Sequence, residues 1–529
     1  MQFVTFQFFL FFLGVFAGAI LLKENKKYYR VFLLAASLAF YLFFGVNFFV
    51  ILTLNIGVNY AFLKAIERFG KKALVLSVIA NVLFLGAFKY YNFGTDALLQ
   101  LLNALGVPAD IGVIRILIPV GISFYTFRNI SHLVDCYRRE LPVPSFVDFA
   151  NYVAFFPQIM SGPIVRAREF YAYLDNPGLF TYSPGRIVTL VLSGLVKKYV
   201  IASYLFSFAT APFASPSNYS SLDLVTGALA YSAMIFVDFS GYSDFAIALS
   251  NLLGFHVHRN FLSPYSAIGL KDFWNRWHIS LSAWLRDYVY IPLGGSRKGK
   301  ARKYLNIVLT MFVSGLWHGA GLTFIVWGLL HGIGSVVSHL VADFSARRAA
   351  RRDEERNLMI FERYEVERLP FEAELSQNAR GLFVDLDENE FNSELEAFFE
   401  NMDAHLFGKD SKSTVFAGVA NFFGWLVTFV YVTFAWIFFT SSNIGNALSF
   451  IGSIFVSTVA EHKVFSLRLL IVVAVVILFN FIGGRAFRGT IGFFDRLPLA
   501  ARIPAVAAAV YLILQLGPET VPPFIYFSF

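Results

Sequence analysis

The sequence predicts an all-α polytopic membrane protein with about 11 to 13 transmembrane or re-entrant helices. Hydrophobic residues make up 57% of the 529 positions and charged residues only 15%, whereas soluble domains are about 25% charged. The mean hydropathy is +0.61. Apolar stretches recur along most of the chain, and many approach the length of about 20 residues that a bilayer span requires. This composition cannot supply a water-facing polar shell, so we expect one large helical membrane domain.

The predicted membrane segments alternate with short polar loops. A further stretch, 151–163, is apolar but is interrupted by two prolines and a glycine, which predicts a re-entrant element surrounded by protein or facing a cavity. The predicted spans lie near residues 3–22, 31–45, 47–63, 73–91, 112–127, 187–207, 223–250, 304–318, 320–341, 414–440, 443–458, 467–483 and 503–517.

One hydrophilic segment divides the chain into three predicted parts. These are an N-terminal transmembrane core at 1–341, an acidic insert at 342–413 and C-terminal transmembrane helices at 414–529. Residues 343–412 carry 18 acidic and 10 basic side chains, whereas the rest of the chain carries 17 and 33. Basic loops beside spans favour the cytoplasmic side and contact with anionic membrane lipid rather than nucleic acid. We therefore expect a cytoplasmic insert and an N-terminus on the outer side.

An acidic run within the insert resembles a calcium-binding loop. Position 6 of that template requires a glycine for its turn, and here it is Glu390. A solvated acidic helix start is therefore the favoured interpretation, and no metal site is predicted. The template positions that do match are Asp385, Asp387, Asn389 and Glu396.

Polar side chains within apolar stretches are the main functional signal. A charge at mid-membrane costs about 2.5–3.5 kcal/mol on the insertion scale, so each such residue is a functional hypothesis. In residues 271–288, the spacing of the apolar side chains predicts one amphipathic helix with a polar face. The alternative is a helix lying in the membrane interface with tryptophan anchors. The polar face consists of Asn275, His278, Ser282 and Arg286.

A second histidine lies in the glycine-rich string 314–321. His318 stands between Trp317 and Gly319 in an otherwise apolar stretch. A neutral imidazole can act as a general base near pH 7, and removal from water favours the neutral form. The alternative is a core histidine hydrogen-bonded between helices. His331 has a weaker claim, because a continuous helix would turn it away from His318.

Two further clusters place polar groups in apolar surroundings. Asp238, Tyr242 and Asp244 must find partners inside the bundle. An ion pair with Arg276 or Arg286, a cavity wall and a donor-binding site remain open for them, and the ion pair is slightly favoured. In the broken stretch 151–163, the single glutamine, Gln158, suits a re-entrant loop that lines a cavity.

The sequence lacks the motifs of several competing chemistries. It contains no GxxxxGK[ST] phosphate loop, no GxSxG nucleophile elbow and no HExxH helix. ATP-driven transport, hydrolysis of the soluble type and zinc proteolysis therefore lose their best support. The single cysteine excludes an internal disulfide and a cysteine-based metal cluster.

Seven strings between residues 88 and 440 resemble the membrane-bound O-acyltransferase family, in the family's order. The resemblance is to its bacterial branch, and to the alginate O-acetylation type more than the shorter teichoic-acid D-alanylation type. RWHISLS and GLWHG are the most specific part. The strings are FKYYNF (88–93), PVGISFYTF (119–127), FFPQIMSGPIVR (155–166), VDFSGYSDFAI (237–247), DFWNRWHISLSAWLRDYVYIPLGG (272–295), SGLWHGAGLTFIVWGLLHG (314–332) and TFAWIFF (433–439).

This resemblance implies a function and a set of site residues. His318 would be the catalytic base and His278 its polar partner, both facing a central tunnel across the membrane. An acyl group, expected to be acetyl, would pass from a cytoplasmic donor to hydroxyls of a cell-envelope or exported polysaccharide. The donor would be acetyl-CoA or an acyl-carrier thioester, with no permanently bound cofactor. The other tunnel candidates are Asn275, Ser282, Arg286, Trp317, Ser314, Asp238, Tyr242, Asp244 and Gln158.

The resemblance also implies a setting and partners. We expect a multi-pass protein of the bacterial inner membrane with an extracytoplasmic SGNH-type acetyltransferase partner. An acyl carrier protein would dock on the basic run 297–303, and the acidic insert, a departure from the family pattern, could compete for that surface. Three alternatives stay open: D-alanyl transfer to teichoic acid, a glycan- or lipid-precursor transporter using Asp238 and Asp244, and a scaffold without chemistry of its own.

Overall fold

The computed structural model describes residues 3, 5–107, 114–178, 182–364, 415–518 and 521–525. Its contacts divide the chain into two units, one of residues Met1–Ser335 and Trp425–Phe529, and the other of residues Val336–Gly424. All the contacts discussed below lie within the first unit. The predicted insert lies largely outside the described residues.

The described residues form helices and no strands. In chain order the helices are α1 (Phe6–Leu22), α2 (Lys26–Leu42), α3 (Val46–Phe69), α4 (Lys71–Ala104), α5 (Ile122–Tyr137), α6 (Phe146–Ala154), α7 (Phe156–Ile159), α8 (Ala167–Asp175), α9 (Pro184–Leu195), α10 (Ser203–Ala214), α11 (Ser221–Leu252), α12 (Leu270–Arg276), α13 (Ile279–Leu285), α14 (Gly299–His318), α15 (Leu322–Tyr364), α16 (Val415–Thr440), α17 (Ile444–Val456), α18 (Leu467–Arg496) and α19 (Leu499–Leu516). Two π-helical segments, Val196–Ala202 and Arg286–Tyr290, continue α9 and α13.

By length and composition, eight helical segments of the described chain can cross a membrane. Two shorter apolar helices, α1 and α17, accompany them. The predicted class, an all-α polytopic membrane protein, is confirmed. One predicted span, 112–127, is wrong in its position, because α5 begins only at Ile122. The residue before it, Gly121, adopts a left-handed conformation (φ +73°) that ends the preceding extended segment.

Helix α11 forms the centre of the first unit. Of the most apolar 18 residues of α11, 78% are buried, against 6% to 50% for the other seven candidate spans. Helices α9, α10 and α18 pack directly against it. A helix that is apolar around its whole circumference is expected in such a position, because every face meets protein.

The re-entrant prediction for 151–163 falls on two short buried helices. α6 ends at Ala154, and α7 covers Phe156–Ile159. Pro157 occupies the first turn of α7, where a missing N–H is tolerated. The side chains from 151 to 163 are buried, so this broken backbone is enclosed by protein, as non-helical backbone at membrane depth requires.

Helices α14 and α15 form a tight hairpin around two glycines. A Cβ atom on Gly315 would collide with the backbone oxygen of Phe324, and one on Gly328 would lie 2.5 Å from the backbone oxygen of Met311. Small residues permit this close approach of backbones, which supplies packing between membrane helices. The hairpin holds the residues between the two helices in one conformation.

We predict that Gly315→Ala destabilises the protein by about 1–3 kcal/mol, because the added methyl group must push two backbones apart. The thermal midpoint of the purified protein, followed by intrinsic fluorescence, measures the loss. Gly86→Ala on α4 is the matched control, because nothing lies within 4 Å of its added Cβ atom. Equal midpoints for the two variants would contradict the proposed packing role.

Candidate active site

His318 lies buried at the break between α14 and α15. The residue is 4% exposed. Its ring packs against the rings of Trp317, Trp327 and Phe439, with centroid separations of 4.6, 4.8 and 5.0 Å. These three aromatic side chains keep water from most of the imidazole ring and restrict its orientation.

Two side chains of α4 hold the C-terminal end of α14. The Lys89 ammonium donates hydrogen bonds to the carbonyl oxygens of Trp317 (2.5 Å) and His318 (2.9 Å). The Tyr90 hydroxyl donates to the carbonyl oxygen of Leu316 (2.6 Å). The last carbonyls of a helix have no intrahelical donor, and an unpaired one at membrane depth costs several kcal/mol. These contacts therefore stabilise a helix end at His318.

A cavity of about 80 Å³ lies beside His318. Since liquid water occupies about 30 Å³ per molecule, this space accommodates a group of a few heavy atoms. The lining consists of Lys89, residues 118–124, Met160, Trp317 and His318. The cavity is thus lined by His318, Lys89 and a mainly apolar wall.

The wall opposite His318 is also positioned by α4. The Asn92 amide donates to the carbonyl oxygen of Ile116 (2.9 Å) and accepts from its backbone N–H (3.0 Å). This pairing fixes the irregular segment that leads into the cavity wall. Gly121 then brings the wall so close to Ile159 that a Cβ atom would collide with the carbonyl oxygen of that residue. Only glycine fits this position.

His278 is buried and lies between α12 and α13 in a left-handed conformation (φ +44°). Its Nδ1 lies 3.2 Å from Asn260 Oδ1, which also accepts from the backbone N–H (3.1 Å) and hydroxyl (3.0 Å) of Ser280. Because this oxygen accepts, we assign the His278 proton to Nδ1. Its Nε2 then presents a lone pair, and it has no hydrogen-bond partner among the described residues.

The structure brings both predicted histidines to one aromatic side chain. Trp317 lies 4.6 Å from the ring of His318 and 6.3 Å from the ring of His278. Phe239 of α11 covers the other side of His278 at 4.7 Å. His331 is also nearby, because Trp327 contacts both it (4.7 Å) and His318. The prediction for His331 assumed one continuous helix, but α14 ends at His318 and α15 begins at Leu322. The hairpin between them brings His331 back towards the site.

Comparison with known proteins identifies the family of the chain. A model of the membrane-bound O-acyltransferase family matches residues 114–366, which include both histidines and the cavity wall 118–124. The probable alginate O-acetylase of Pseudomonas putida is 40% identical over 346 residues, covering 63% of this chain and 70% of that protein. The chain belongs to the membrane-bound O-acyltransferase family.

Two further relatives of this membrane-bound O-acyltransferase family member are named for acetyl transfer. The probable alginate O-acetylase of Pseudomonas syringae pv. tomato is 41% identical over 345 residues, covering 63% of this chain. The peptidoglycan O-acetyltransferase of Helicobacter pylori is 35% identical over 343 residues, covering 59% of this chain. The matches span slightly less than two thirds of these relatives' own lengths, 65% and 64%.

The carboxylate of Asp238 is paired inside this family member. Its Oδ1 accepts a 2.5 Å hydrogen bond from the ammonium of Lys198, and both side chains are at most 5% exposed. The same ammonium donates to the carbonyl oxygen of Pro522 (3.1 Å), and Asp238 Oδ2 accepts from the backbone N–H of Ile525 (3.0 Å). The pair therefore anchors residues 522–525 against α11. Lysine replaces the arginine partners considered from the sequence.

Asp244 is paired in the same way at a more exposed position. Its Oδ2 accepts from the Lys197 ammonium (2.7 Å) and the Ser193 hydroxyl (2.8 Å). Lys197 and Lys198 both lie in the π-helical segment Val196–Ala202, whose widened turn directs them towards α11. The ion-pair interpretation is thus the one that these contacts favour, because each carboxylate already has a fixed cation.

Tyr242 and Gln158 lie behind the cavity rather than on its surface. The Tyr242 hydroxyl donates to the sulfur of Met160 (2.9 Å), and Met160 lines the cavity. Gln158 accepts from the Arg128 guanidinium (2.6 Å) and donates to the Ser250 hydroxyl (3.2 Å). Gln158 therefore joins α5, α7 and α11, which sets the position of the wall.

The polar face predicted for residues 271–288 is divided in the structure. The single amphipathic helix is wrong, because the hydrogen bonds of Asn260 to the 278–280 backbone and side chains turn the chain at His278. Asn275 and Arg286 are exposed, Arg286 forms an ion pair with Asp287 (2.7 Å), and Ser282 is half-buried. None of the three lines the described cavity, and neither does His278, whose ring centre lies 6.3 Å from that of Trp317.

Three residues near the site were not predicted as site residues, although the sequence contained a sign of their importance. Lys89, Tyr90 and Asn92 lie in the string FKYYNF, which carries part of the family resemblance. A lysine within an apolar helix is itself a functional hypothesis.

The predicted candidate Ser314 lies one turn before His318 and is buried, and its hydroxyl has no hydrogen-bond partner among the described residues. The calcium-loop lookalike, 385–396, lies outside the described residues.

We predict that Lys198→Ala destabilises the protein by about 3–5 kcal/mol, because it leaves the Asp238 carboxylate buried without its cation. The measurement is the unfolding midpoint of the detergent-purified protein. Lys197→Ala is the control, since its pair is more exposed, at 29% and 15% for the two side chains, and such pairs contribute about 1 kcal/mol or less. A larger shift for Lys197→Ala than for Lys198→Ala would refute this ranking.

Proposed function

We propose that this protein transfers an acyl group, most simply acetyl, from a thioester donor to hydroxyls of a cell-envelope or exported polysaccharide. His318 acts as the general base. The observation that carries this proposal is the position of His318, at a capped helix end beside a small cavity that an ammonium group also lines. Membership of the family and the names of the acetyl-transferring relatives support the same reaction class.

The reaction follows from the groups at the cavity. His318 accepts the proton of the acceptor hydroxyl while its oxygen attacks the thioester carbonyl carbon. The tetrahedral intermediate collapses, the C–S bond breaks, and the departing thiolate takes the proton from the imidazolium. General base catalysis of this kind contributes about 10²- to 10⁴-fold. The aromatic side chains around His318 exclude bulk water, which limits competing hydrolysis of the donor.

His278 acts as a second polar group beside the reacting atoms. Asn260 holds its Nδ1–H, so its Nε2 remains an acceptor, and its ring lies 6.3 Å from that of Trp317, which lines the cavity. An acceptor there orients the incoming hydroxyl through a hydrogen bond. We therefore assign orientation of the substrate to His278 and proton transfer to His318.

An uncharged acyl group fits the cavity better than D-alanyl. The α-ammonium group of D-alanine would lie beside the Lys89 ammonium, and like charges in a low-dielectric site repel strongly. The transport alternative has less support, because Asp238 and Asp244 are both held by lysines. We propose acetyl as the transferred group and acetyl-CoA or an acyl-carrier thioester as its donor.

The setting of the reaction follows from the need to separate donor and acceptor. The protein is a multi-pass membrane protein, and we propose the bacterial inner membrane as its location. The donor reaches the site from the cytoplasm, where the basic run 297–303 offers a surface for an acidic acyl carrier protein. We propose an extracytoplasmic SGNH-type acetyltransferase as a partner on the outer side of the membrane.

We predict that His318→Ala abolishes polysaccharide O-acetylation, with a loss of at least about 100-fold, because the general base is removed. His278→Ala lowers it to a lesser extent. The measurement is ester content of envelope and exported glycans by mass spectrometry, in cells that express each variant at matched levels.

His258→Ala is the control, because His258 is exposed and distant in the chain from both helices of the hairpin. It retains wild-type ester. Wild-type ester in both His318→Ala and His278→Ala, together with lost glycan export in Asp238→Asn or Asp244→Asn, would replace the enzymatic proposal with transport.

A further inference from the structure

Lys89 contacts the end of α14 that carries His318 and also lies near the ring of Trp317. It lies in the middle of α4, and its ammonium donates to the carbonyl oxygens of Trp317 and His318. It also lies 5.6 Å from the centre of the Trp317 ring, within the range of a cation–π contact. The two hydrogen bonds and the ring hold the charge at one place relative to His318.

The Lys89 ammonium retains a donor for a ligand. A protonated lysine carries three N–H groups, and two of them are used by the carbonyl oxygens at the end of α14. Lys89 also lines the cavity beside His318. Its third N–H is therefore available to whatever occupies that cavity.

The charge of Lys89 has no carboxylate partner within the part of the chain that the structure describes. The ion pairs of that part involve other cations. The buried lysine of the bundle, Lys198, is by contrast neutralised by Asp238. A lysine in such surroundings without a carboxylate partner is costly in its charged form and marks a functional group. Negative charge that develops on a substrate beside it would stabilise that form.

We infer that Lys89 is the oxyanion-stabilising residue of the reaction, an inference that rests on the proposed acyl transfer. When the acceptor oxygen bonds to the thioester carbon, the carbonyl π pair moves to oxygen and creates an oxyanion. That oxygen accepts the third N–H of Lys89. When the C–S bond breaks, the carbonyl reforms, the thiolate leaves with the proton held by His318, and Lys89 keeps its charge and its protons.

Lys89 thereby holds the oxyanion donor at a fixed position relative to the general base, His318. Because Lys89 is bonded to the backbone of His318 itself, the base and the oxyanion donor move as one unit with the end of α14. A fixed donor is what stabilises charge that develops only in the transition state, since no reorganisation is needed at that moment.

The test separates the charge of Lys89 from its capping hydrogen bonds. Lys89→Gln removes the charge and keeps amide N–H donors on a side chain that is one atom shorter, whereas Lys89→Arg keeps the charge. Lys72→Met is the matched control, because it removes an exposed cation from the same helix. Tyr90→Phe removes a cap from the same end of α14 but no charge, and its hydroxyl is not part of the cavity lining.

The assay uses inverted membrane vesicles supplied with [14C]acetyl-CoA and host cytosol, which forms any acylated carrier. The readout is label in base-labile glycan ester, normalised to folded protein measured by fluorescence-detected size exclusion. We expect Lys89→Gln to lower the maximal rate by about 10²- to 10³-fold, the effect of removing one oxyanion donor. The acetyl-CoA concentration at half-maximal rate stays within about twofold, since the contact forms in the transition state.

The other variants distinguish the possible failures. The maximal rate of Lys89→Arg is at least about tenfold higher than that of Lys89→Gln. Tyr90→Phe lowers the thermal stability and has a smaller effect on the rate, and Lys72→Met matches wild type. A Lys89→Gln rate equal to wild type, or equal to that of Tyr90→Phe, overturns the role of Lys89 while His318→Ala remains inactive. Undiminished label in His318→Ala, or no ester label with wild type, instead overturns the proposed acetyl transfer.

Discussion

The hydrogen bonds from Lys89 and Tyr90 to the last carbonyl oxygens of α14 are the interaction on which the site depends. The end of a helix in buried surroundings needs donors for its terminal carbonyls, because no intrahelical N–H reaches them. Three successive carbonyl oxygens, of Leu316, Trp317 and His318, receive donors from α4. This arrangement places His318 at an open helix end beside a cavity, where an uninterrupted helix would have enclosed it.

Other small and buried polar residues around the site hold chain segments in position. Glycines at the α14–α15 crossing bring two backbones into contact, and Gly121 brings the cavity wall against Ile159. Asn92 pairs with Ile116, Asn260 turns the chain at His278, and Lys198 with Asp238 anchors residues 522–525. In each case a polar or small residue joins segments distant in sequence. These ion pairs contrast with Lys89, which lines the cavity and has no carboxylate partner among the described residues.

The membrane class and the family were predictable from the sequence for different reasons. Composition alone indicates the class, because apolar length and low charge are required of any bilayer-spanning helix. The strings around His278 and His318 carry the family resemblance, which the comparisons confirm. Hydropathy could not place α5 correctly, since a glycine conformation and not apolarity decides where it begins. Periodicity also failed at 271–288, because Asn260, eighteen residues before His278, turns the chain there.

The sequence by itself thus determined that this is a helical membrane protein and which histidine is the leading candidate for chemistry. Both properties are local, since they depend on composition and on short strings of neighbouring residues. The tertiary structure decided which partners surround His318. Lys89 precedes it by more than two hundred residues in the chain, and no periodicity links such positions. The cations paired with Asp238 and Asp244 are lysines, whereas the sequence suggested arginines. The packing of α9 and its π-helical continuation against α11 decides which cation lies beside each carboxylate.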